Sequence, residues 1–125
     1  YLRDRGLLSG PVYVNFLLGS LGTLAATPLN LALLVERLPM GATWAAAGIG
    51  RYQFDVNRLA IAMGGGVRVG LEDNLWFDEG RTDLASNPRL VERLVRISRA
   101  MGREPATPAQ VRARLGIPPR SAGPA

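Results

Sequence analysis

Gly64–Asn74, reading GGGVRVGLEDN, is the stretch on which the fold turns. Three glycines end one element, an apolar run with a single Arg inside it comes next, and two adjacent carboxylates stand at its C-terminal end. On a strand of period two, Arg68, Gly70 and Glu72 point to one face while Val67, Val69 and Leu71 point to the other. A face carrying Arg and Glu is not the one packed under helices. In a β/α barrel it is the inward face, and the C-terminal ends of the strands are where such enzymes keep their catalytic groups. Strict alternation sends Asp73 outward, so its use in a site requires the chain to leave strand geometry there. The residues also allow a plainer reading, a buried Arg68–Glu72 ion pair that fills the barrel. Removing one partner of such a pair typically costs about 3–5 kcal/mol.

Upstream, two further β/α units precede this run. Val12–Leu18 is aromatic and β-branched with almost no polar interruption, as expected of a strand buried on both faces. Asn15 within it is a further inward-facing candidate, or a satisfied core amide. Thr27 offers an N-cap with Pro28 at the first helical position, and Leu31, Leu34, Val35 and Leu38 come after it at i, i+3, i+4, i+7 until Pro39 and Gly41. A second apolar run, Thr43–Ile49, leads into the turn Gly48, Ile49, Gly50, Arg51. That turn could present the Gly50 amide and the Arg51 guanidinium to a phosphate, or be a tight strand-to-helix turn with a solvated Arg. From Tyr52 to Met63 the helical period returns, with Val56, Leu59, Ala60 and Met63 on one face.

Downstream, a polar loop from Asp73 to Ser86 precedes Asn87 and Pro88, which repeat the cap-plus-proline signal before a helix with Leu90, Leu94, Ile97 and Met101 on one stripe. Thr107 and Pro108 start a short helix that ends at Gly116. Residues 118–125 are too rich in Pro, Gly, Ser and Ala to order themselves, which leaves residues 1–117 as the folded portion. Strand and helix alternating three times predict an α/β fold of parallel β/α units. Three units neither close a barrel nor complete most doubly wound sheets, and the chain starts with Tyr1 rather than Met, so a piece of a longer protein is expected.

Composition narrows the chemistry. The chain has 125 residues, a hydrophobic share of 47% and a charged share of 20%, enough apolar surface to offset ordering entropy. With 0 Cys and 0 His it holds no thiolate site, no imidazole base and no complete Ser-His-Asp or histidine-bound zinc centre of its own. Its 15 cations, all Arg, exceed the 10 acids by the formal charge of +5. The group between Arg89 and Arg103 alternates with Leu and Val at helical spacing and reads as the wet face of an amphipathic helix. A basic module that binds RNA or another anionic partner is the competing reading, but no nucleic-acid motif or cluster of stacking aromatics supports it. No apolar run reaches the ~18 residues of a membrane span. Arg3 and Arg5 before Val12–Ala26 imitate a secretory signal, yet Asn15, Gly19 and Gly22 interrupt it. A cytoplasmic location without membrane contact is therefore expected.

The runs PVYVNFLLG, TWAAAGIGRYQ and GGGVRVGLEDN, with SNPRLVERLVRISRAMGRE and TPAQVRARLGI, resemble the C-terminal part of the β-keto acid cleavage enzymes from about Leu7 to Ile117. RVGLEDN is the specific part. The resemblance implies a TIM (β/α)8 barrel, of which this chain would supply strands six to eight, in a homo-oligomer, usually a tetramer. It implies a divalent metal, usually Zn2+, and a retro-Claisen exchange in which a β-keto acid and acetyl-CoA give acetoacetate and a new CoA ester. By resemblance Glu72 is the carboxylate metal ligand, Asp73 the general base and Arg68 the arginine that cooperates with it. The two metal-binding histidines would lie in an N-terminal half upstream of Tyr1, so the chain alone should be inactive. Gly66 stands where many members carry His or Asn.

Overall fold

A computed structural model describes residues 1–119. In chain order the elements are β1 (Tyr13–Leu18), α1 (Pro28–Glu36), β2 (Thr43–Gly48), a 3-10 turn at Gly50–Tyr52 running into α2 (Gln53–Ala62), β3 (Gly66–Val67), α3 (Asn87–Ala100) and α4 (Pro108–Arg114). The strands form one parallel sheet in the order β1-β2-β3, with Asn15 opposite Ala45 and Ala45 opposite Gly66. This is the expected mixed α/β chain of parallel units. The expected unordered tail from residue 118 lies, from residue 120 onward, outside the described residues.

Side-chain caps start α1 and α4. Thr27 caps α1 through its side chain, which accepts the Asn30 N–H, and Pro28 occupies the first turn. Thr107 and Gln110 form a reciprocal capping box on α4. At α3 the N-cap is Ser86 and not Asn87, and Ser86 makes no side-chain cap bond. Asn87 is spent elsewhere: its Oδ1 accepts the Leu71 N–H at 3.0 Å, across the loop beyond β3.

One face of the sheet meets the helices. Val14, Phe16 and Leu18 of β1, Trp44 and Ala46 of β2 and Val67 of β3 pack with Leu31, Leu34 and Val35 of α1 and Val56, Leu59 and Ala60 of α2. Met63, expected on the packed stripe of α2, is instead exposed, and Ile61 is buried. The β2-to-α2 connection is tight enough to demand glycine at position 48. A Cβ there would lie 2.1 Å from the Tyr52 carbonyl oxygen, closer than atoms can approach.

Two expectations about the strands are corrected. β1 is not buried on both faces: Tyr13, Asn15 and Leu17 are exposed, Tyr13 and Asn15 line an open cavity, and among the described residues β2 is the only strand paired with β1. The third strand does not run from Val67 to Leu71 but ends at Val67. Arg68 N–H still bonds Ala46 O at 3.0 Å, after which Gly70 O accepts the N–H groups of Asp73 and Asn74 and the chain curls into a turn.

Candidate active site

Arg68 stands just beyond the end of β3, and the turn it enters brings Asp73 back onto it. Nε of Arg68 donates to Asp73 Oδ2 at 3.2 Å and Nη2 donates to Oδ1 at 3.1 Å, a two-point hold that a planar guanidinium is shaped to make. Nη2 also donates to Glu72 Oε2 at 2.9 Å. The side chains differ sharply in environment: Asp73 is 5% exposed and Glu72 85% exposed. The buried Arg68–Glu72 pair considered from the sequence is therefore not what forms. The protected partner is Asp73, and the Glu72 contact is a solvent-facing pair of the kind worth about 0–1 kcal/mol. Asp73 reaches this position because the chain abandons strand geometry before it.

The backbone under these side chains is fixed from below. Gly50 N–H donates to Asp73 O at 2.7 Å, so this amide of the glycine turn is occupied rather than open to a phosphate. Gln53 Nε2 donates to Gly70 O at 2.9 Å. Asn57 Nδ2 donates both to Ala46 O at 3.1 Å and to Arg68 O at 2.9 Å, joining the ends of β2 and β3. Both carboxamides are fully buried. Sequence reasoning missed them, although their spacing of four sets them on one helical face beside Val56 and Ala60. Polar residues inside an apolar stripe were the available signal.

Arg51 lies over the Tyr52 ring, 5.1 Å from its centroid, and donates to the Tyr52 hydroxyl at 3.0 Å. No acidic group pairs with it among the described residues. By register Asn15 sits on the same sheet face as Arg68, two strands away, and both line one broad open cavity.

The loop beyond Asp73 is pinned by arginines expected to be a solvated face. Arg89 clasps Asp83 through two bonds of 2.9 and 2.5 Å. Arg93 is sandwiched between the rings of Phe54 and Phe77, 4.4 and 4.2 Å from their centroids, and bonds the Phe77 carbonyl at 2.5 Å. Burial, together with the charge of Arg89, pushes the Arg93 guanidinium down from its ordinary value. Arg103 bonds the carbonyls of Ile61 and Gly64, closing the C-terminal end of α2. Much of the basic group is thus committed to holding the fold. Within the loop, the Asp83 N–H and the Thr82 hydroxyl hold the Asp78 carboxyl below the usual range, and the Arg89 hydrogen bond does the same for Asp83.

Among the described residues no group of three or more His, Cys, Asp or Glu could hold a metal ion. Glu72 offers one exposed, hard oxygen donor, which suits a divalent ion but makes only part of a coordination set. Asp73 is held in one orientation at the end of β3, both of its carboxylate oxygens engaged by Arg68.

Parallel β/α units, with an arginine-held carboxylate pair just past the end of a strand, place the chain in the α/β class. The β-keto acid cleavage enzyme family matches residues 1–117, and the chain belongs to it. It is 43% identical over 115 residues to a 3-keto-5-aminohexanoate cleavage enzyme of Fusobacterium nucleatum, covering 92% of this chain and 41% of the relative. It is 39% identical over 116 residues to the protein of the same name from Acetoanaerobium sticklandii, covering 93% and 42%. With the 3-oxoadipate:acetyl-CoA acetyltransferase of Cupriavidus necator it shares 37% identity over 120 residues, covering 94% and 42%. The chain therefore spans about two-fifths of the length of the curated relatives it matches. No helix among the described residues is long and apolar enough to cross a membrane.

Proposed function

We propose that this chain is the C-terminal part of a metal-dependent β-keto acid cleavage enzyme. The whole protein would carry out retro-Claisen exchange between a β-keto acid and acetyl-CoA, giving acetoacetate and a CoA ester. The observation that carries the reading is the two-point hold of Arg68 on buried Asp73 beside exposed Glu72, in a chain of this family. The names of relatives that couple acetyl-CoA with 3-oxoadipate or 3,5-dioxohexanoate support acetyl-CoA as co-substrate. In this reading β1, β2 and β3 are the sixth, seventh and eighth strands of a TIM barrel. The protein is cytoplasmic and a homo-oligomer, a tetramer by preference, and the chain by itself is inactive.

The residues divide the work by environment. Glu72, exposed and held at only one oxygen, is the ligand this chain would give to Zn2+, completed by two histidines of an N-terminal half. When bound, such a metal supplies polarisation of the keto oxygen. Asp73 takes up the substrate proton and returns it later in the cycle. Arg68 keeps that carboxylate oriented and places a cation beside developing negative charge. Arg51, with its charge unmatched, would meet a phosphate of coenzyme A, with Gly50 shaping the turn behind it.

Asp73→Asn in the complete protein tests the assignment, because an amide keeps the shape but cannot take a proton at neutral pH. Turnover of a β-keto acid with acetyl-CoA should fall about 10²–10⁴-fold, with bound metal and KM changed far less. Near-normal turnover would show that the base is another residue.

A further inference from the structure

Gln53 and Asn57 are the only polar side chains besides Asp73 that are buried among the described residues, and each donates to main-chain carbonyls of the segment bearing the candidate active site. From these contacts we infer that the two carboxamides are positioning residues. They hold residues 68–73 at the height and angle at which Arg68 closes on Asp73. This inference rests on the proposed function and extends it to residues that touch no substrate.

Three observations converge on it. β3 is only two residues long and its last bond to β2 is made by the Arg68 N–H, so the sheet leaves the carbonyls of Arg68 and Gly70 to other donors. The carbonyls of Arg68 and Gly70 take their bonds from α2 instead: Asn57 holds the first, and Gln53 holds the second, from which the Asp73 turn departs. The same Asn57 amide also grips Ala46 O, so the height of the Arg68 backbone is referred directly to the central strand. A buried carboxamide is costly unless its bonds are made, and on each residue the Oε1 or Oδ1 oxygen has no partner among the described residues. A core meant only for stability would do better with Leu or Met at these positions. The arrangement keeps the donors because only a donor can grip a carbonyl. The Gly50 N–H bond to Asp73 O ties the same turn to the start of the helix that carries both residues.

The test uses Gln53→Met and Asn57→Leu, which keep bulk and remove the donors, in the complete protein. Misplacing reacting groups by about 1 Å costs on the order of 10²-fold in rate. Each variant should lose about 10–100-fold in kcat with KM within about threefold, and the Gly50 amide should exchange with solvent faster. A residue that merely stabilised the fold would lower the melting temperature and leave kcat per folded molecule alone. In an Asp73→Asn background the loss in kcat from Gln53→Met should vanish, because a residue acting through Asp73 has nothing left to position. Unchanged kcat together with unchanged Gly50 exchange in Gln53→Met would overturn the inference, even if Asn57→Leu fails to fold. If the parent showed no β-keto acid cleavage at all, the functional reading would fall. Faster Gly50 exchange in the variants would then still support the positioning role, and unchanged exchange would overturn it as well.

Discussion

The guanidinium of Arg68 meets both carboxylate oxygens of Asp73, at 3.2 and 3.1 Å, although the two residues stand five apart and would face opposite sides of a regular strand. This contact exists because the chain turns at Gly70. It places a charged pair with one buried member at the end of β3, where losing either partner strands the other.

Arg68→Lys should therefore be far from conservative. Lysine keeps the charge but makes no planar two-point contact, and it leaves part of buried Asp73 unsatisfied. We expect a stability loss of about 1–3 kcal/mol in denaturant unfolding and a clear loss of turnover. A variant with parental midpoint and rate would show that charge alone suffices.

Glu72→Gln should behave in the opposite way. Its side chain is exposed and makes one solvent-facing pair, so unfolding should shift by less than about 0.5 kcal/mol. In the complete protein, bound metal and turnover should fall together. Metal analysis of the purified variant decides the point, and full occupancy would remove Glu72 from the coordination set.

Gly65 packs directly on a ring. A Cβ at this position would lie 2.4 Å from two carbons of Trp44, an approach that forces the indole or the strand to move. Gly65→Ala should cost about 1–3 kcal/mol, as overpacking in a filled core does, and alter Trp44 fluorescence. The same change at Gly64 would meet no atom but would strain a backbone with φ of +85°, so it should leave the indole signal alone.

The loop beyond the candidate site should loosen in acid. Both Asp78 and Asp83 have carboxyls held below their ordinary value of 3.8 in the folded chain. Groups depressed in this way contribute stability that is fully present above that ordinary value and is lost as pH falls through the lower, folded one. Fluorescence of Trp76, which bridges to Leu84 within the loop, should report the change on acidification. Asp83→Asn should abolish the part contributed by the Arg89 clasp, and an unchanged acid profile in that variant would refute the assignment.

The local code was sufficient for the elements. Thr27 with Pro28 and Thr107 with Pro108 announce helix starts in neighbouring residues, and the apolar periods of Leu31–Leu38 and Leu90–Leu94 arise from the chain alone. The alternation of strand and helix implied the parallel sheet, and RVGLEDN marked Arg68, Glu72 and Asp73 as a set. The features that could not be read there depend on partners far along the chain. The end of β3 was set by its pairing with β2 and by the carboxamides of α2. Asp73 became the protected carboxylate, and Glu72 the exposed one, only once the turn at Gly70 was made. Arg93 and Arg103 left the solvated face because Phe54, Phe77 and the end of α2 came within reach. Propensity and periodicity are properties of adjacent residues, and the sequence by itself determined the features they govern. Burial and hydrogen-bond partners at separations such as those between Asn57 and Arg68 or Arg103 and Gly64 exist only after the chain has folded, and the tertiary structure alone decided them.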